Sequence, residues 1–293
     1  MNTESLKGKV ALVTGGAGGI GRATCLALAA EGAAVAVMDI DLAGGESVAE
    51  ELQDLGATAG AFATDVSDYD ATKSALARIR ESLGEPLIVV CNAGIAGEPV
   101  LFRSEDKANW QRLFQVHVDG AYHCIRETIN PMLAAGWGRI VCISSVAAQM
   151  GWRGGASYAA AKGALIGLVR TLALEYAAKG VTANAVLPGV IDTAMSREAL
   201  SHVRERVEAA IPMGRIGQPK TSRRLSPTSA RTVGAISPAN SSVPMAVCGF
   251  REMAAAAADR NRNGTASQQG QPIVSDRAVA VTPRHLTWLH SRA

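Results

Sequence analysis

The chain has 293 residues, of which 48% are hydrophobic and 4% are aromatic, and its net charge is +3. This length allows one large domain or two small ones with a substantial buried core. Residues 220–293 contain ten Lys/Arg and three Asp/Glu, so the basic excess belongs to this segment alone and does not indicate nucleic-acid binding by the rest.

The first predicted element is a buried strand over residues 9–14, followed by a glycine-rich loop. The loop, T-G-G-A-G-G-I-G at residues 14–21, precedes an alanine-rich helical stretch over 22–30. Glycines permit a tight turn and close approach of the backbone to a ligand, and the helix N-terminus attracts phosphate. The order of strand, loop and helix therefore predicts a cradle for a dinucleotide.

A second strand, predicted over residues 34–39, ends in Asp39. An acid at this distance from the glycine loop can accept hydrogen bonds from a ribose 2′-hydroxyl and repel a 2′-phosphate. No basic residue directly follows Asp39, and Gly18 stands where a basic residue could have met that phosphate. The pattern favours NAD over NADP, although Asp39 could be only a polar strand end.

Strands and helices alternate along the rest of the chain up to Pro219. Further strands are predicted over 58–63, 87–91, 139–144 and 181–187, and helices over 45–55, 70–83, 106–135 and 157–179. This alternation predicts an α/β fold, a doubly wound parallel sheet of the Rossmann type, forming a single domain over 1–219. Ligands of such sheets bind at the carboxyl ends of the strands.

Three of these strands are directly followed by a candidate site residue, so Asn92, Ser145 and Pro188 are expected at the same rim of the sheet. The segment 191–212 comes after the last predicted strand and is expected to cover a substrate. It should set specificity together with Gln149, Met150, Trp152 and Arg153, although Trp152 and Arg153 are equally compatible with a surface or interface position.

A catalytic trio is predicted from Ser145, Tyr158 and Lys162. Tyr158 and Lys162 are four residues apart and share a helix face, so the ammonium is expected to lower the pKa of the phenol. Ser145 could then hold a substrate oxygen beside a phenol that acts as general acid or base. A chance Y-x-x-x-K on an exposed helix is the alternative.

Together these motifs resemble the single-domain branch of the short-chain dehydrogenase/reductase family, close in pattern to 3-oxoacyl-thioester reductases and secondary-alcohol dehydrogenases. The resemblance covers about residues 7–219. It implies that Tyr158 is the acid/base, that Ser145 orients the substrate oxygen, and that Lys162 lowers the tyrosine pKa and holds the nicotinamide ribose. The positions matching the family's cofactor contacts are Thr14, Gly15, Gly19, Ile20, Gly21, Asp65, Val66, Asn92, Ala93, Gly94, Pro188, Gly189 and Thr193.

One position departs from the family pattern, because His117 stands where the family usually has asparagine. In the family that asparagine helps to hold a water in the proton relay to the lysine. Histidine can donate and accept hydrogen bonds and titrates near neutrality, so His117 could serve in the relay and add a pH dependence. It could equally be a helix residue bonded to backbone.

Cysteine usage and hydropathy favour a cytoplasmic protein. Four of the five cysteines, Cys25, Cys91, Cys124 and Cys142, lie in apolar contexts without metal-ligand spacing, so free buried thiols and no metal site are expected. No apolar run reaches the ~20 residues of a membrane span. The N-terminal residues lack the apolar segment of a secretory signal.

The sequence changes character after Pro219. Residues 220–293 show neither strand nor helix periodicity, and they are interpreted as an irregular tail rather than a second domain. The family pattern would have a helix, a tight turn and a last strand here, which help to build the subunit interface and close the substrate pocket. With a suitable choice of synonymous codons, reading one base earlier after Pro219 yields E-D-I-A-A-A-V-A-Y-L-C-T-D-G-G and later N-G-G, so a frameshift is the hypothesis.

The predicted function is hydride transfer between NAD(H) and a secondary alcohol or ketone by an enzyme with a tyrosine acid/base. Two alternatives stay open: a 3-oxoacyl-thioester reductase that uses NADP(H), and a non-catalytic or misfolded nucleotide-binding product of a frameshifted gene. The expected partner is a small-molecule substrate, with neither nucleic acid nor membrane. A homo-oligomer is expected if the C-terminal elements are intact.

Overall fold

A computed structural model describes residues 6–199, 204–211 and 214–219. In this part of the chain six parallel strands form one sheet in the order β3-β2-β1-β4-β5-β6. This confirms the predicted doubly wound parallel sheet, while the predicted tail over 220–293 lies outside the described residues. The strands are β1 (Val10–Thr14), β2 (Ala34–Asp39), β3 (Ala59–Ala63), β4 (Pro86–Cys91), β5 (Gly138–Ile143) and β6 (Val181–Val186).

Helices connect the strands and cover both faces of the sheet. Three of them begin after an aspartate whose carboxylate accepts a hydrogen bond from the first turn, namely Asp41, Asp68 and Asp106. The helices are α1 (Gly19–Ala30), α2 (Leu42–Asp54), α3 (Tyr69–Leu83), α4 (Lys107–Phe114), α5 (Gly120–Ala134), α6 (Ala147–Met150), α7 (Ala156–Tyr176), α8 (Ala194–Ala199) and α9 (Arg204–Ala210), with 3₁₀ turns at Phe102–Ser104 and Ala177–Lys179.

The strands are apolar because the sheet is buried on both sides. Leu12 packs into the cluster formed with α3, α5 and α7, whereas its neighbours Ala11 and Val13 pack into the cluster formed with α1 and α2. All residues of β1 and β5 are buried. A strand covered on both faces needs no polar alternation, which is why these segments are continuous apolar runs.

The stretch 106–135, predicted as one helix, is interrupted. A π-helical turn over Gln115–Asp119 separates α4 from α5 and contains the buried His117. Gly120 follows it, and a methyl group there would lie 2.7 Å from Val66 Cγ2, so the start of α5 approaches its neighbour closely. A π turn inserts an extra residue into the helical repeat, and apolar periodicity does not signal this.

None of the described helices is long and apolar enough to cross a membrane. In the same residues no group of three or more His, Cys, Asp or Glu is arranged to hold a metal ion.

Candidate active site

The glycine loop after β1 is tied to the N-A-G motif after β4 at the centre of the sheet. Thr14 Oγ1 accepts hydrogen bonds from the backbone N–H groups of Asn92 and Ala93, both at 3.0 Å. Asn92 Nδ2 donates to the carbonyl oxygens of Thr14 at 3.0 Å and Gly15 at 2.9 Å. Two segments far apart in sequence are thus fixed to each other where the strand order reverses, the position at which such sheets bind ligands.

The loop has the shape of a phosphate cradle. Gly15 has φ 63°, and a methyl group there would lie 2.9 Å from Ala93 Cα. A methyl group at Gly21 would lie 1.9 Å from the Gly15 carbonyl oxygen, so only glycine fits. No side chain caps the first turn of α1, and Gly18 has open space beside its Cα, so this helix N-terminus can receive a phosphate. The structure therefore fits a dinucleotide.

Asp39 lies beside this loop at the end of β2. Its carboxylate accepts hydrogen bonds from the backbone N–H groups of Ala17 at 2.9 Å and Asp41 at 3.1 Å. Each carboxylate oxygen has a further acceptor site, so both can still receive bonds from ribose hydroxyls. Asp39 also stabilises the loop itself, a role that the sequence did not reveal.

Asp65 and Val66 follow β3 and differ in exposure. Asp65 is exposed, and its carboxylate accepts bonds from the backbone N–H of Ser67 at 2.9 Å and the Ser67 hydroxyl at 2.7 Å. Val66 is buried, and its carbonyl oxygen lies 2.8 Å from His123 Nδ1. The turn is therefore held by internal contacts at the same edge of the sheet as the glycine loop.

Ser145 and Tyr158 are brought together as predicted, close enough for the Ser145 side chain to affect the pKa of the phenol. Burial raises the pKa of Tyr158, and the hydrogen bond from Ser145 opposes this only in part. The pKa of Tyr158 is thus shifted upward, whereas we expected the Lys162 ammonium to lower it. The reason is geometric, because the Lys162 ammonium lies 5.7 Å from the centroid of the tyrosine ring and is bonded elsewhere.

Lys162 is buried beneath Tyr158. Its Nζ donates to the carbonyl oxygen of Ile143 at 2.8 Å, and only 4% of the residue is exposed. Burial lowers its pKa to about 8, an effect that the nearby thiols of Cys142 and Cys91 oppose. The Lys162 ammonium therefore lies at the carboxyl end of β5, next to its last residue.

His117 is buried against the N-A-G segment. Its Nε2 lies 2.9 Å from the carbonyl oxygen of Ile95 and 3.3 Å from the Ile95 nitrogen, and its Nδ1 is buried without a partner among the described residues. The ring is perpendicular to that of Tyr158, with centroids 5.5 Å apart. Burial and the charge of Lys162 lower the pKa of His117 to about 3. Of the two possibilities for His117, the contact with the Ile95 backbone is observed, and the low pKa argues against a pH dependence near neutrality because the desolvated ring stays uncharged.

Two further predicted groups lie around this centre. Pro188 accepts a hydrogen bond from the Val146 N–H at 3.1 Å, which fixes the segment Pro188–Gly189 beside Ser145. Thr193 receives a bond from the Ser196 N–H at 3.2 Å at the start of α8, and its Cγ2 would lie 3.0 Å from a methyl group at Gly19. Thr193 thus lies beside the glycine loop.

Trp152 contacts Tyr158 and is 38% exposed. Its ring centroid is 5.5 Å from that of Tyr158, at an interplanar angle of 87°. The neighbouring Gln149, Met150 and Arg153 are exposed.

Sequence reasoning missed the backbone groups that position these side chains. The carbonyl oxygens of Ile143 and Ile95 hold Lys162 and His117, and the Ser144 hydroxyl donates to the Lys162 carbonyl at 2.8 Å. Every residue type has a backbone carbonyl, so no sequence signal could have indicated the first two. Ser144 could have been suspected because it is polar at the end of an apolar strand.

Comparison with known proteins agrees with this geometry. Residues 9–204 match the family model of the short chain dehydrogenases. Over 214 residues the chain is 42% identical to the 3-oxoacyl-(acyl-carrier-protein) reductase FabG of Pseudomonas aeruginosa, which covers 73% of this chain and 86% of that protein. It is 37% identical over 217 residues to cis-4-hydroxycyclohexanecarboxylate dehydrogenase of Sinomonas cyclohexanicum, covering 74% and 87% of the two chains.

Solved structures with the same architecture include two with a cofactor. A putative NAD(P)-dependent gluconate 5-dehydrogenase from Beutenbergia cavernae, with bound NADP at low occupancy, has a TM-score of 0.72 and 33% identity, covering 78% of this chain and 91% of that one. NAD⁺-bound xylitol dehydrogenase has a TM-score of 0.74 and 27% identity, with coverages of 78% and 94%. The resemblance inferred from the motifs is confirmed, and the chain belongs to the short chain dehydrogenase family of oxidoreductases.

Proposed function

We propose that the protein transfers hydride between NAD(H) and a secondary alcohol or ketone, with Tyr158 as the general acid and base. The observation that carries this proposal is the meeting of Ser145, Tyr158 and Lys162 at the rim of the sheet. A continuous series of contacts joins these residues to the glycine loop, through His117 and the segment 92–95.

The cofactor would be held by residues at this rim. The N-terminus of α1 at Gly19–Gly21 would receive the pyrophosphate, and the Asp39 carboxylate would accept bonds from the adenosine ribose. We assign the turn at Asp65 and Val66 to the adenine, and the segment Pro188–Thr193 to the nicotinamide amide. The nicotinamide, when bound, supplies or takes up the hydride.

The protein's own part is proton transfer and orientation. In ketone reduction the Tyr158 hydroxyl donates its proton to the substrate oxygen as hydride reaches the carbonyl carbon, and in alcohol oxidation the phenolate takes that proton back. Ser145 donates a hydrogen bond to the same oxygen. At neutral pH the raised pKa keeps Tyr158 protonated, which suits the acid role required for reduction.

In this proposal Lys162 and His117, both near the Tyr158 ring, support the tyrosine. The Lys162 ammonium uses one proton for Ile143, so its others can bond to a ribose hydroxyl or to water. Neutral His117 has its Nε2 beside Ile95 and leaves Nδ1 as an acceptor. We assign it the task of accepting a hydrogen bond from a water that links the lysine to solvent, without changing its own charge.

The test of this function is Tyr158→Phe in the full chain. Turnover of ketones with NADH should fall by about two to four orders of magnitude, the typical contribution of a general acid. NADH binding, followed by fluorescence, should be nearly unchanged because the ring stays in place. Retained turnover would overturn the assignment.

The preference for NAD rests on Asp39. A 2′-phosphate would bring a second negative charge beside a carboxylate that two backbone N–H groups already hold in place. Asp39→Asn keeps an acceptor for Ala17 but removes the charge, so it should shift the ratio of kcat/KM values toward NADPH by about tenfold or more, or ~1.4 kcal/mol. A wild-type KM lower for NADPH than for NADH would contradict the preference.

The second candidate is an NADP(H)-dependent 3-oxoacyl-thioester reductase. The 42% identity to a 3-oxoacyl-(acyl-carrier-protein) reductase favours it. Assaying acetoacetyl thioesters beside simple ketones, each with NADH and NADPH, separates the two candidates. Faster reduction of the thioester with NADPH would establish the second.

For the rest of the chain, we propose a single catalytic domain over 1–219 followed by an out-of-frame segment over 220–293. Supporting this, residues 220–293 contain ten of the 29 Lys/Arg but three of the 26 Asp/Glu. Sequencing the coding DNA tests this proposal. We expect that a single-base change near Pro219 restores a family-like ending, and the proposal fails if no such change does.

We expect a frame-restored chain to be the form that assembles as a homo-oligomer. The cysteines among the described residues, Cys25, Cys91, Cys124 and Cys142, are free and buried, which favours a cytoplasmic location.

A further inference from the structure

A tight turn between α6 and α7 presents a tryptophan beside the catalytic tyrosine. Residues 151–155 are G-W-R-G-G, and Gly151 and Gly154 have φ angles of 73° and 82°, a region that favours glycine. The turn is closed by a hydrogen bond of 3.0 Å from the Gly155 N–H to the Trp152 carbonyl oxygen. The backbone around Trp152 is therefore held in one shape.

The indole itself is fixed between the turn and Tyr158. A methyl group at Gly155 would lie 2.3 Å from Trp152 Cε3, so the indole lies directly on the backbone and depends on glycine there. It also meets the Tyr158 ring at 87° with centroids 5.5 Å apart. Trp152 is still 38% exposed, so the residue is both in contact with Tyr158 and accessible from solvent.

The chain next to this turn, and the segment that the turn contacts, also carry exposed apolar side chains. Gly154 packs against the backbone of residues 99–100, since a methyl group there would lie 3.6 to 3.7 Å from that segment. The next two residues, Leu101 and Phe102, are 43% and 73% exposed, and Met150 on the near side is 47% exposed. The nearest charged neighbours in sequence, such as Arg153, are exposed to solvent.

We infer that Trp152 determines specificity and that the substrate carries an apolar ring or chain next to its carbonyl, rather than a row of hydroxyls. An indole face is stabilised by contact with C–H groups. Hydroxyl groups pressed against it would lose water without gaining a partner. This inference rests on the proposed oxidoreductase function and assigns its substrate class.

The experiment compares two ketones, cyclohexanone and erythrulose, with the full chain and the reduced cofactor that it prefers. The wild type should favour cyclohexanone in kcat/KM. Trp152→Ala should lower that preference roughly tenfold, the lower end of what a hydrophobic contact contributes to selectivity. Trp152→Phe should keep most of it. Tyr69→Ala is the matched control, because Tyr69 is also 38% exposed but contacts His123 instead of Tyr158.

The outcomes separate this inference from the function on which it rests. If the wild type reduces no ketone with either cofactor, the proposed function itself fails. If ketones are reduced but erythrulose is preferred, or the ratio is the same in wild type and Trp152→Ala, the substrate class is wrong and the function stands. Each variant is checked for cofactor binding, and should Trp152→Ala lose it, Trp152→Gln carries the same expectation.

Discussion

Acid sensitivity of the fold should depend on His117. Its pKa is about 3 in the native protein against an ordinary value of 6.5, because burial disfavours the charged ring. Between these values the unfolded chain binds a proton that the native protein does not. The free energy of unfolding therefore falls as pH decreases from about 6.5 toward 3.

The size of the effect follows from the two pKa values. At pH 5 the unfolded histidine is almost fully protonated and the native one is not, which removes about 2 kcal/mol of stability relative to pH 7.5. The full loss near pH 3 would approach about 4 to 5 kcal/mol. His117→Asn should lack this contribution whatever its stability at neutral pH, because asparagine does not titrate in this range.

Urea unfolding at pH 7.5 and pH 5.0, followed by circular dichroism, measures the difference. The wild type should lose about 2 kcal/mol more than His117→Asn over this interval. His123→Asn, a partly buried histidine on the same helical stretch, shows how much any histidine removal contributes. Equal losses in wild type and His117→Asn would refute the burial argument and would mean that the native ring is protonated or solvated.

Two other substitutions test contacts of the site. Gly94→Ala would place a methyl group 2.4 Å from His117 Cε1, so it should destabilise the protein by about 1 to 3 kcal/mol. His117→Asn should relieve much of that loss in the double variant, and additive losses would contradict the contact. Thr14→Val removes the acceptor of two backbone N–H groups and should cost about 2 kcal/mol or more, measured by urea unfolding. Thr14→Ser keeps the hydroxyl and should behave nearly as wild type, and a Thr14→Val variant as stable as wild type would contradict the role of the hydroxyl.

The sequence motifs predicted the fold, and they predicted which site residues lie close together. Both predictions depend on short stretches of sequence, namely apolar runs and the spacing of a few residues. Apolar runs gave all six strands to within about two residues of their observed bounds. The spacing of Tyr158 and Lys162 on one helix, and the position of Ser145 at the end of a strand, correctly predicted that these three residues lie close together.

What sequence reasoning could not provide was the depth of burial. Lys162 and His117 lie at 4% and 2% exposure, and this desolvation rather than their neighbours in sequence governs the pKa of each. Burial is a property of everything packed around a residue. For the same reason the direction of the Tyr158 shift was wrong, and the π turn at His117 was not foreseen.

The hydrogen bonds between Thr14, Gly15 and Asn92 have a consequence for the affinity of the cofactor. A flexible glycine loop would have to be ordered at the moment of binding, and the entropy of that ordering would be subtracted from the affinity. Here one threonine hydroxyl and one asparagine amide keep the loop in its binding shape in the free protein. Loosening them should slow and weaken cofactor capture even where every group that touches the dinucleotide is unchanged.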